Sequence, residues 1–103
     1  MNSVKKVAKD YVEKVKNAGI TIEATYLFGS FAKGKTHKDS DIDICIVSSS
    51  FEKDYFDEET KIRMISLGSD IRIEPIAYNP TNLNNKFNSF AQEIKKYGIS
   101  LTT

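Results

Sequence analysis

The chain has 103 residues, 40% of them hydrophobic and 28% charged, with a formal net charge of +1. That length is expected to form one domain, residues 1–103, with one core and little room for a second lobe. The near-neutral balance excludes a broad field for direct DNA binding, and a lone cysteine, Cys45, excludes an internal disulfide or a cysteine-rich zinc site.

No apolar run reaches the ~18 residues of a membrane span. No apolar leader opens the sequence, so the expected location is the cytoplasm. From Ser3 to Ala18, apolar residues at Val4, Val7, Ala8, Tyr11, Val12, Val15 and Ala18 follow helical spacing. Ser3 is the expected N-cap and Gly19 the residue just past the end. The five lysines of this segment read as a solvated face.

Thr25 to Phe28 reads as a short strand ending at Gly29. Asp41 to Val47 reads as a second, with Ile42, Ile44 and Ile46 on one face. Phe51 to Leu67 begins ambiguously and turns helical, with Phe56, Ile62, Ile65 and Met64 inward and Gly68 as the stop. Ile71 to Ala77 is a third strand. Pro75 within it points to an edge position or a strand end, because proline cannot donate to a ladder. A polar turn follows Asn79-Pro80. Leu83, Phe87, Phe90, Ala91, Ile94 and Tyr97 then recur at helical spacing up to Gly98, which makes Phe87, Phe90 and Tyr97 expected core residues. This order predicts an α+β fold, a small mixed β-sheet with helices packed on it.

The stretch "YLFGSFAKGKTHKDSDIDICIV" carries the chemistry. Gly29 through Gly34, Lys35 and Thr36 fit the letters of a phosphate-binding P-loop. Such a loop must open a long helix, and here a strand follows within a few residues, so the match is one of letters only. Asp39, Asp41 and Asp43 also begin like a calcium loop, but Ile44 and Ser50 stand where glycine and glutamate are required. What remains is a strand whose alternation points Asp41 and Asp43 the same way, with Cα atoms about 6.5–7 Å apart. Two carboxylates at that spacing can lean onto divalent ions, and hard oxygen donors suit Mg²⁺. Upstream, Gly29 lets the backbone approach a phosphate, and Ser30 and Lys33 can bind it. His37 in the loop and Cys45 deeper in the strand read as a solvated and a buried side chain.

The series Gly29-Ser30-Phe31-Ala32-Lys33-Gly34, followed by Ser40-Asp41-Ile42-Asp43-Ile44, resembles the signature of the nucleotidyltransferase superfamily that includes DNA polymerase beta. The size is similar to its minimal nucleotidyltransferase (MNT) group, often the antitoxin partners of HEPN-domain toxins. The resemblance implies transfer of a nucleoside monophosphate, AMP from ATP, to a hydroxyl acceptor such as a tyrosine of a HEPN-type toxin. It implies two Mg²⁺ ions on Asp41 and Asp43, and a third carboxylate on a later strand that binds metal and activates the hydroxyl. Glu74 is the candidate and Asp70 the rival, with Arg72 expected to pair with Glu74 or neutralise the cluster. Glu74 is a methylene longer than the Asp common in the family, and Lys33 lacks the fork of the frequent Arg. A binding-only antitoxin and a small-molecule transferase remain as alternatives, as does completion of the cleft by a second copy or a partner.

Overall fold

The computed structural model describes residues 2–29, 32, 34, 41–52 and 55–101. Helix α1 (Asn2–Asn17) leads into strand β1 (Ala24–Phe28) and then β2 (Ile42–Val47). A 3-10 turn (Ser49–Glu52) and helix α2 (Tyr55–Leu67) precede β3 (Ile73–Tyr78). Two helices, α3 (Pro80–Asn84) and α4 (Ser89–Tyr97), and a short strand β4 (Ile99–Ser100) complete the order. The sheet runs β3-β2-β1-β4. β1 lies antiparallel to β2 and β4, and β2 parallel to β3, so the sheet is mixed as expected.

Alternation in β2 divides the molecule. Ile42, Ile44 and Ile46 are fully buried on one face, against Val4, Ala8, Tyr11, Val12 and Val15 of α1 and Ile62 of α2. Cys45 and Val47 go to the other face and pack with Phe28, Leu83 and Ile94 beneath α3 and α4. Tyr11 ties the two helices of the first layer, its buried hydroxyl donating to the Ile62 carbonyl at 2.7 Å.

Several local expectations shift. α1 starts at Asn2, so Ser3 lies inside its first turn rather than capping it. α2 begins only at Tyr55, and this sets its phase. Phe51 in the preceding turn is buried instead, while Phe56 and Met64 point outward at 83% and 64% exposure. Ile71 belongs to a turn before β3 and is 86% exposed, so it shares no face with Ile73. The segment after Asn79 is helix α3, closed by a capping box in which Asn79 and Asn82 each bind the other's backbone N–H. Because Asn88 then caps α4 separately, the apolar recurrence from Leu83 is split between two helices, and Phe87 is 85% exposed. Pro75 does sit on an edge strand.

Arg72, before β3, is engaged with Asp70 rather than Glu74. The Asp70 carboxylate accepts from Arg72 Nε at 3.2 Å, Nη2 at 3.0 Å and the backbone N–H at 2.9 Å. The Arg72 side-chain hydrogen bonds, followed by its backbone N–H, hold the Asp70 carboxyl below its ordinary 3.8.

Two outcomes follow for stability. Tyr11→Phe should lower the unfolding free energy by about 1–2 kcal/mol in a urea titration, through the lost buried hydrogen bond. Arg72→Met should cost about 0.5–1 kcal/mol near neutral pH, the pair being partly solvated. An acid with a depressed folded pKa stabilises above its unfolded value. The gap between wild type and Arg72→Met should therefore close as pH falls through 3.8 and below.

Candidate active site

Strand register assembles the site. Phe28 stands opposite Asp43 across β1–β2, and Asp43 opposite Glu74 across β2–β3. Residues in one row share a face, so Phe28, Asp43 and Glu74 all point toward the α4 side. The next row on that face is Tyr26, Cys45 and Ile76. One layer of the sheet is thus apolar under α3 and α4 and ends in carboxylates where β2 begins. The parallel pairing is anchored there by the Ile42 N–H, which donates to the Arg72 carbonyl at 2.8 Å.

Asp41 lies one residue before β2 and is exposed; Asp43 is half-buried and Glu74 exposed. With Phe28, Gly29, Ile76, Phe90 and Glu93 they line a cleft of about 410 Å³. Burial, then the charges of Asp41 and Glu74, raise the Asp43 carboxyl above its ordinary 3.8. Gly29 closes the cleft's inner corner with φ +73°, and a Cβ there would collide with Asp43 Oδ2 and lie 3.1 Å from its Cγ. Only glycine fits both the backbone angle and the space.

Of the residues expected from sequence, Gly29, Asp41, Asp43 and Glu74 come together. Ser30 and Lys33, with His37, lie outside the described residues. Asp70 is bound to Arg72 and does not line the cleft. Cys45 is fully buried, its thiol pushed up to about 12 by that burial. Phe90 and Glu93 of α4 were not anticipated at the site. Phe90 packs edge-on against Phe28 at 5.2 Å and Tyr78 at 6.1 Å between ring centroids. Their spacing of three marks them as one helix face, but nothing local says which strand end that face meets.

The donor set is all oxygen, which suits a hard divalent cation better than zinc or copper. Among the described residues, no three acidic, histidine or cysteine side chains are gathered closely enough to enclose an ion as they stand. A cation in the cleft would offset both the burial and the neighbouring charges that raise Asp43. Among the described residues, no helix is long and apolar enough to cross a membrane.

Residues 5–103 match the family described as "Polymerase beta, Nucleotidyltransferase". A Methanocaldococcus jannaschii protein named "putative protein adenylyltransferase" is 34% identical over 84 residues, covering 78% of this chain and 79% of that one. A crystal structure of a "putative nucleotidyltransferase" from Sulfolobus solfataricus superposes with TM-score 0.67 at 22% identity, over 95% of this chain and 78% of the other. A toxin-antitoxin structure with AMP-PNP superposes with TM-score 0.59 at 23% identity, over 91% and 72% of the two chains. A mutant of the toxin-antitoxin MntA-HpeT gives 0.61 at 16%, over 91% and 72%. At these identities the structures share the fold. The family match over nearly the whole chain meets a cleft built from Gly29, Asp41 and Asp43, and the chain belongs to the polymerase beta nucleotidyltransferase family.

Proposed function

We propose that this chain transfers AMP from ATP to a hydroxyl acceptor with release of pyrophosphate. In this reading the acceptor is a tyrosine of a HEPN-type toxin and the chain is its antitoxin. The observation that carries the proposal is the convergence of Asp41, Asp43 and Glu74 on one cleft beside Gly29. The protein-adenylyltransferase name of the Methanocaldococcus relative supports a protein acceptor, and the toxin-antitoxin structures of the same fold support a toxin.

Asp41, Asp43 and Glu74 would hold two Mg²⁺ ions, which when bound neutralise the triphosphate and the attacking and leaving oxygens. Gly29, with Ser30 and Lys33, holds the β- and γ-phosphates, the glycine through its backbone, while its missing side chain leaves room for the Asp43 carboxylate. Glu74 lies on the edge strand, so an incoming side chain reaches it without crossing the sheet. It takes the acceptor's hydroxyl proton. The freed oxygen forms a bond to the α-phosphorus as the bond to pyrophosphate breaks in line. Phe28 and Ile76 supply an apolar floor that limits water at the reacting atoms.

The protein incubated with Mg²⁺, ATP labelled at the α-phosphate and a candidate toxin should place label on a toxin tyrosine. Label on a small metabolite, or neutralisation without label, would contradict the proposal. Asp43→Asn should reduce transfer by at least ~100-fold. Its melting midpoint without Mg²⁺ should not fall, since the substitution removes a half-buried charge beside two like charges. Gly29→Ala should also reduce transfer, but with a lower midpoint, because its Cβ displaces Asp43 and its backbone is strained.

A further inference from the structure

Helix α4 gives the acidic cleft an aromatic ring, Phe90, which the proposed chemistry does not use. The other ring of the cleft, Phe28, is buried, whereas Phe90 keeps 37% of its surface exposed. Its place is fixed from two sides. The ring meets Phe28 and Tyr78 edge-on, at 5.2 and 6.1 Å between centroids. Asn88, two residues earlier, caps α4 by accepting from the Ala91 N–H at 3.0 Å. Its Nδ2 also donates to the Tyr78 hydroxyl at 3.3 Å, which ties the start of α4 to β3. A ring held in this way gives up little rotamer freedom when a second planar group covers it.

The direction of phosphoryl transfer decides what reaches this ring, and this step rests on the proposed reaction. There, pyrophosphate leaves on the Gly29 side and the hydroxyl enters beside Glu74. The attacking and leaving oxygens stand in line across the α-phosphorus. That line runs across the strands, along the row of Phe28, Asp43 and Glu74. The ribose oxygen on the α-phosphorus must therefore project at a wide angle to the row. One such direction, along β2 toward Asp41, meets an exposed carboxylate. The opposite direction leads one row back, about 6.5–7 Å, to Ile76 and the part of the cleft that Phe90 lines. The cleft thus has an acidic end for the phosphates and an apolar end for the nucleoside.

We infer that the exposed ring of Phe90 is the platform on which the nucleobase stacks, with Ile76 flanking the ribose. Stacking needs only a π-face, so this contact adds affinity for a nucleotide over a bare polyphosphate without choosing among bases.

Calorimetric titration of the full chain in Mg²⁺, with ATP and with inorganic tripolyphosphate, tests it. Phe90→Leu should weaken ATP binding at least ~5-fold and leave tripolyphosphate binding unchanged, and Phe90→Tyr should bind ATP like the wild type. Asp43→Asn should weaken both ligands. In the wild type, nuclear Overhauser contacts should join the adenine protons to the Phe90 ring. Should Phe90→Leu unsettle the fold, these wild-type contacts alone decide. Equal weakening of both ligands by a folded Phe90→Leu, no weakening of ATP, or adenine contacts that omit Phe90 would overturn the inference and leave the acidic site standing. If neither ligand binds, or Asp43→Asn weakens neither, the acidic site itself fails and the inference falls with it.

Discussion

The register of β2 is the constraint on which the rest depends. Burying Ile42, Ile44 and Ile46 against α1 and α2 is worth about 1.5–3 kcal/mol for each side chain. A strand has only two faces, so that burial forces Asp43 and Cys45 to the opposite one. Cys45 is acceptable there as a small apolar group beneath α4. Asp43 is acceptable only because its row is the last, where the helix cover ends and a cleft opens. Placing a carboxylate half out of water beside two others is unfavourable, as the direction of the Asp43 shift records. The isoleucine burial outweighs it. The same register aligns Phe28 and Glu74 with Asp43 with no further requirement on either residue.

Much of this was legible in the sequence because period-two alternation fixes which residues share a face. The pattern Asp-Ile-Asp-Ile-Cys-Ile sufficed to separate the core side of β2 from its chemical side; the edge strand was less legible, because the turn before it takes Ile71 out of the alternation and Arg72 to Asp70. The helices were less legible. Whether Phe51 or Phe56 is inward depends on where α2 begins, and a 3-10 turn moves that start by several residues. Asn88 acts as a second cap that interrupts the run from Leu83, which an apolar spacing count cannot register. The contribution of Phe90 and Glu93 to the cleft is purely tertiary: it depends on α4 crossing the face that carries Phe28. The pairing of β4 with β1 through Tyr26 and Leu27 is also long-range, and two residues leave no periodic trace.

The two sides of the sheet have separate assignments. One carries the packed layer of α1 and α2. The other carries the acids, with Gly29 at the corner and an aromatic wall from α4. Membership in the nucleotidyltransferase family gives the class of chemistry, and β3, which carries Glu74, is an edge strand of the sheet.

The central claim is that the carboxylates on the last row of the sheet jointly bind a metal-nucleotide complex. Paramagnetic broadening of backbone amide resonances by substoichiometric Mn²⁺ with ATP tests it most directly, independently of any acceptor. The account predicts selective loss of signal at Gly29, Asp41, Ile42, Asp43 and Glu74, with α1 and the outer side of α2 unaffected. Broadening centred elsewhere, or none at these five positions, would contradict it.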